Sequence, residues 1–374
     1  MKIGVLKEHK PSEKRVALTP DVAKQLIKKG FEVLIEQDAG LASAFTNDAY
    51  KSVDAAVSTK EQVLNCDVVL KVNAPTLAEA NELKDGCILL SFLYAYTIPE
   101  VVEVLEKKKI SSFAMDAVPR ISRAQKMDAL SSQANLAGYK AVLLGANQLG
   151  KIFPLMMTAA GTITPSRVLI FGAGVAGLQA VATAKRLGAV VEVTDVRPET
   201  KEQVESLGGR FIEVEGMAEN VTEGGYAKEV SAEFLAKQKA LIEDKIKEAD
   251  LVITTALVMG KKAPVLVTAK MVESMKEGAV IVDMAVESGG NCELSEKETV
   301  CVKHGVSIIG YSNLPAMLST NASQLYAVNI STLLLHLADK DGFKWEMEEE
   351  ITKGSLITHE GTLVHEFAKK ILNR

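Results

Sequence analysis

The chain has 374 residues, of which 47% are hydrophobic and 24% charged, and its formal net charge is −5. These proportions exclude a disordered or collagen-like chain, and the mild acidity excludes a basic footprint for nucleic acid or anionic lipid. At about 150 residues per domain, the length predicts two or three domains.

Short β-rich runs alternate with helical stretches along the chain, a pattern that predicts mainly parallel sheets. Strands are expected at residues 2–6, 31–35, 67–72, 88–92 and 111–115. A helix over 21–29 is entered through Thr19 as cap, with Pro20 in the first turn, and another covers 99–108. A helix over 131–151 leads into a second series, with strands at 167–171, 190–194, 251–254, 279–283 and 307–309. Helices over 175–187 and 227–249 fall between them. A long helix over 319–337 leads back, and short strands at 356–358 and 362–365 then extend the first domain. The expected fold class is α/β: two Rossmann-like domains with mainly parallel, doubly wound sheets, linked by two long helices. Residues 1–130 plus 319–374 form a discontinuous first domain, and residues 131–318 form the second.

A membrane span needs about 20 predominantly apolar residues. Residues 168–184 are apolar but short and punctuated by glycine. Charges recur from Lys7 onward with no apolar run after them, so no secretory leader is expected. Cys66, Cys87, Cys292 and Cys301 form no CxxC pair and no zinc spacing. Reduced, partly buried thiols and no metal site are expected.

Residues 172–177 read GAGVAG, a full GxGxxG between a β-rich run and a helix, with Asp195 ending the next strand. In this context the pattern signals a dinucleotide site. Gly172 permits the tight turn, and Gly174 lets the backbone approach the pyrophosphate beside the amides of Ala173 and Val175. Gly177 allows close helix–strand packing. The helix N-terminus offers unpaired N–H groups to the phosphates. Asp195 would accept from the ribose hydroxyls and repel a 2′-phosphate, so NAD(H) is favoured over NADP(H). Val196 and Arg197 follow directly, and arginines near this position can serve a 2′-phosphate. Residues 131–318 are therefore read as the NAD(H)-binding domain. Residues 254–257 and 283–287 end strands that should complete the pocket. Gly224, Gly225 and Tyr226 suit a mobile flap over the nicotinamide, although a tyrosine there also suits a helix start.

Residues 119–140 read PRISRAQKMDALSSQANLAGYK, a polar stretch with no core period. It reads either as a solvated loop or as a loop built to present hydrogen-bonding groups. This stretch resembles the signature loop of the NAD(H)-binding component of proton-translocating nicotinamide nucleotide transhydrogenases. RVALTPD (15–21), TKEQVESLGG (200–209), GGYAKE (224–229), TTAL (254–257) and VDMAVESGGNC (282–292) are similar as well. The resemblance implies that Arg120, Gln125, Asp128 and Ser131 lie by the nicotinamide, with Gln125 reaching toward NADP(H) on a partner subunit. It implies that Tyr226 is a flap residue beside Gly225, and that Gln238 and Leu257 contact NAD(H). The implied reaction is hydride transfer between NADH and NADP⁺, coupled to proton translocation by a membrane-spanning subunit. A homodimer is implied, at the inner face of the cytoplasmic membrane through its partner subunits.

The same family contains alanine dehydrogenases, which need an acid–base group for the proton on nitrogen. Arg15 and Lys71 sit where those relatives keep substrate-binding residues. Tyr94 stands in the segment of their active-site histidine, and Glu287 stands at their catalytic aspartate. A non-catalytic NAD(H)-binding regulator is the other alternative.

Overall fold

The structure, a computed structural model, describes residues 1–213, 232–258 and 260–374, with only the backbone for 232–239. The chain divides into two compact units, residues 1–133 with 315–374, and residues 134–314.

In chain order the first unit contributes β1 (Lys2–Val5), β2 (Glu32–Glu36), β3 (Ala56–Ser58), β4 (Val68–Leu70), β5 (Ile88–Ser91) and β6 (Ser111–Ala114). The second unit contributes β7 (Arg167–Phe171), β8 (Val190–Thr194), β9 (Arg210–Phe211), β10 (Leu251–Thr254), β11 (Val280–Asp283), β12 (Val300–Lys303) and β13 (Val306–Ile309). The chain then returns to the first unit with β14 (Leu356–His359) and β15 (Thr362–Leu363).

The first sheet runs β15-β14-β6-β5-β4-β1-β2-β3, and the second β9-β8-β7-β10-β11-β13-β12. Within these sheets all pairings are parallel except those of β14 and the β12–β13 pair. Each unit is thus Rossmann-like, and each order reverses beside its first strand, β1 or β7. At such a reversal a crevice opens outside the carboxyl ends of the strands. Both sheets are covered on two faces, as parallel sheets require. Val68 and Leu70 enter one core and Val69 the opposite one. Val168 and Ile170 likewise face away from Leu169.

Strands β3, β9 and β12 were not expected from the sequence. They are short, and their side chains are only partly buried. A separate hairpin, Met156–Thr158 with Gly161–Ile163, is exposed throughout. Thr19 occupies the N-cap of helix Pro20–Lys28, but contrary to expectation its side chain makes no capping bond. Pro20, with its fixed φ and no N–H, starts this helix instead.

The helix Ala129–Gln148 starts earlier than expected, because the Asp128 carboxylate accepts from the Ser131 N–H (2.8 Å) and hydroxyl (2.6 Å). Glycines let it pack closely in the second unit. A Cβ on Gly138 would overlap the Ala176 carbonyl, and one on Gly145 would approach the Leu251 side chain within 2.7 Å. Of the long helix expected over 227–249, Ala232–Glu248 is described. Helix Ser319–Leu337 lies wholly in the first unit.

Candidate functional site

In the second unit the GxGxxG turn leaves β7 at its carboxyl end. Gly172 has φ +98°, a left-handed conformation that a side chain resists. A Cβ there would collide with Thr255 Oγ1, whose hydroxyl donates to the Phe171 carbonyl (2.9 Å). Gly177 faces inward, and a Cβ on it would overlap the Gly172 carbonyl. Gly174 is the N-cap of helix Val175–Arg186, and nothing lies within 4 Å of its Cβ position. The space above the helix N-terminus is open, where a phosphate would meet free N–H groups and the positive dipole end.

Asp195 ends β8 and is 8% exposed. Its carboxylate accepts from the Ala173 N–H (2.6 Å) and the Arg197 N–H (2.9 Å), and the Arg197 guanidinium lies 3.0 Å from both oxygens. Burial pushes this carboxyl up, but the Arg197 guanidinium and the two amides more than offset it and hold it below the usual range. Asp195 therefore also ties the fingerprint turn in place, a role that no motif in the sequence announces. Val175, Val196 and Leu257 are exposed at this edge of the sheet, the apolar rim expected of a cofactor crevice.

Two buried polar residues brace the neighbouring strand ends. Asn291 donates to the carbonyls of Ala256 (2.9 Å) and Pro264 (2.8 Å), and its oxygen accepts from the Ala256 N–H (3.0 Å). Asp283, at the end of β11, accepts from the N–H groups of Ala285, Asn291 and Cys292 and from the Ser295 hydroxyl (2.6 Å). With its lone pairs so occupied, it is a structural carboxylate. Gly225 and Tyr226 lie outside the described residues, as does the Gln238 side chain.

In the first unit, residues 119–128 form a turn rather than an open loop, with a 3-10 helix at Ser122–Met127. Arg120 and Gln125 are exposed on it, while Ala124 and Met127 are buried. Asp128 and Ser131 bond to each other at the helix start, as described above.

Arg15 and Lys71 belong to a buried polar cluster in this unit. The Arg15 guanidinium grips Glu13 through two bonds (2.8 and 2.7 Å) and donates to Gln133 (2.9 Å). Lys71 pairs with Glu79 (3.0 Å) and lies 3.8 Å from Glu8. Burial outweighs Lys71 and raises the Glu8 carboxyl, whereas the Arg15 bonds bring Glu13 down to about 2 against its own burial. Tyr94 has φ +44°, held by Asp116, which accepts from the N–H groups of Leu93 (2.6 Å) and Tyr94 (3.0 Å). Glu287 is exposed and pairs with Lys297 (3.5 Å).

Replacing Asp195 with alanine should weaken NADH binding by about tenfold or more, since a bond to a charged group contributes about 1.5–3 kcal/mol. Titration of NADH fluorescence tests this, and unchanged affinity would mean that the fingerprint is misassigned.

The strand–turn–helix geometry and the strand order define a two-unit Rossmann-type protein with a dinucleotide fingerprint in its second unit. Family models for the alanine dehydrogenase/PNT N-terminal and C-terminal domains match residues 4–137 and 141–366. The chain is 51% identical to the first of the polypeptides that make up the NAD(P) transhydrogenase subunit alpha of Rhodospirillum rubrum, covering 98% of each. It is 31% identical to the alanine dehydrogenase of Bacillus subtilis, covering 98% of this chain and 93% of that protein. The crystal structure of a transhydrogenase from Sinorhizobium meliloti matches with a TM-score of 0.86 at 40% identity, covering 98% of this chain and 100% of that one. The chain belongs to the alanine dehydrogenase/PNT family.

Proposed function

We propose that this chain is the NAD(H)-binding subunit of a proton-translocating transhydrogenase of the Re/Si-specific type. The observation that carries the reading is the fingerprint turn, with an open helix N-terminus at Gly174 and a buried Asp195 beside it. The greater similarity to the transhydrogenase relative than to the alanine dehydrogenase supports it. Residues 131–318 form the NAD(H)-binding domain, and residues 1–130 with 319–374 form the other. Gly172, Ala173, Gly174, Val175 and Gly177 receive the pyrophosphate. Asp195, Val196 and Arg197 hold the adenosine ribose, and Gly225, Tyr226, Gln238 and Leu257 complete the contacts. Arg120, Gln125, Asp128 and Ser131 are the groups beside the nicotinamide.

The reaction moves a hydride from C4 of the dihydronicotinamide of NADH to C4 of the NADP⁺ ring on a partner subunit. One C–H bond breaks and one forms, and no proton changes hands in the step. The protein needs no acid–base pair, only ring positioning and exclusion of water. Alanine oxidation would need such a pair. The segment around Tyr94 has no histidine, and Glu287 is exposed on a lysine. Among the described residues no helix is long and apolar enough to cross a membrane. Proton translocation therefore belongs to a membrane-spanning partner, on whose inner face this subunit docks as a homodimer.

Stopped-flow mixing with an NADP(H)-binding transhydrogenase subunit tests the proposal. Hydride should pass from NADH to NADP⁺ or an analogue in the mixture, and the isolated chain should not oxidise alanine. No transfer, with ready alanine oxidation, would reverse the reading.

A further inference from the structure

We infer that the returning C-terminal segment sets the turn carrying Arg120 and Gln125, through two positioning residues, Asn329 and Glu349. The inference rests on the proposed role of that turn beside the nicotinamide. A six-residue 3-10 turn has poor internal hydrogen bonds and cannot fix exposed side chains by itself. The structure supplies the missing constraints from residues some 200 positions later.

The inner side of the turn is packed, with Ala124 and Met127 in the same core as Ile330, Leu333 and Leu334 of helix Ser319–Leu337. Three ties then hold its length. At its start the Pro119 ring lies against Gly354, where a Cβ would come within 3.1 Å of Cδ. In its middle the Arg123 guanidinium pairs with Glu349 (2.8 Å) and reaches Glu350 (3.3 Å). Glu349 is itself fixed, because it also accepts from the N–H groups of Ile351 and Thr352 and bonds the His336 ring.

At the end of the turn stands Asn329, 7% exposed. Its amide nitrogen donates to the Lys126 carbonyl (2.8 Å), and its oxygen accepts from the Ser132 hydroxyl (2.7 Å). One side chain thus clamps the last residues of the turn to the first turn of helix Ala129–Gln148. Asn329 bears no charge, and Arg120 and Gln125 are not among its partners. Its effect on them runs through the backbone. Truncation would leave the Lys126 carbonyl without this donor, and the turn would drift.

The test compares Asn329→Ala, Gln125→Ala and the double variant of the full chain, each mixed with an NADP(H)-binding transhydrogenase subunit in single turnover. Asn329→Ala should slow hydride transfer by about ten- to a hundredfold. Its NADH affinity should stay within about twofold of native. Because Asn329 acts through the turn, the double variant should transfer no more slowly than Gln125→Ala alone. Independent, multiplicative losses would overturn the inference, as would a native rate for Asn329→Ala. A native rate for Gln125→Ala would remove the reading of the turn itself, and this inference with it. If Asn329→Ala fails to fold, Glu349→Gln replaces it. That variant keeps an oxygen for the Ile351 and Thr352 amides and loses the charge facing Arg123. It should show the same non-additivity with Gln125→Ala, and a native rate would likewise overturn the inference.

Discussion

Replacing Gly177 with alanine is expected to cost both the fold of the second unit and its affinity for NADH. Propensity alone argues the opposite, since alanine in a helix is favoured over glycine by about 1 kcal/mol. Geometry reverses the sign. The added methyl would overlap the Gly172 carbonyl and come within 2.9 Å of its carbon. Helix Val175–Arg186 must then lift from β7, which costs about 1–3 kcal/mol and lowers Tm by several degrees. The lift also moves the amides at the helix start away from the phosphate position, so NADH affinity should fall by about a hundredfold. Calorimetry and NADH titration test the two effects separately. A raised Tm with native affinity would show that the close approach is not required.

Gln125→Ala should act in a contrasting way. Gln125 is exposed on the turn Ser122–Met127. Its loss removes no buried contact, and stability should stay within about 0.5 kcal/mol of native. Hydride transfer to an NADP⁺ analogue should nonetheless slow by about a hundredfold, because a misplaced ring is costly at the transition state. NADH affinity should hold within about twofold, since the binding interactions common to ground and transition state remain. Single-turnover kinetics and equilibrium titration separate these quantities. Equal losses in rate and affinity would refute a positioning role.

The parts legible in the sequence are those whose signals are short-range. Glycine spacing, the preceding β-branched run and an acid at the next strand end lie within residues 167–195, so the fingerprint could be read before its geometry was seen. The helix Ser319–Leu337 was equally plain. Strands β3, β9 and β12 were hidden because two to four half-exposed residues carry no usable period. The Asp195–Ala173 bond was hidden for a different reason. Nothing in an aspartate's sequence context shows that its carboxylate will also tie down a neighbouring turn. The Asn329 clamp joins residues 203 positions apart, and no local pattern encodes such a pairing. Polarity at residues 119–135 announced a presenting loop, but its conversion into a packed 3-10 turn depends on a core completed from the far end of the chain.

That discontinuity also bears on how the protein is made. The second unit is a continuous insertion, residues 134–314, and all seven strands of its sheet are synthesised before the ribosome reaches Pro315. The first unit has a different schedule. Its strands β1 to β6 emerge early, but Tyr326, Ile330, Leu333 and Leu334, which fill its core, come only near the end of translation. Until then β6 is an open edge, because its antiparallel neighbour β14 begins at Leu356. An unpaired edge beside an incomplete core is the kind of surface on which nascent chains aggregate. The region of the protein made first is therefore finished last, and the nascent chain depends on protection at β6 for most of its synthesis.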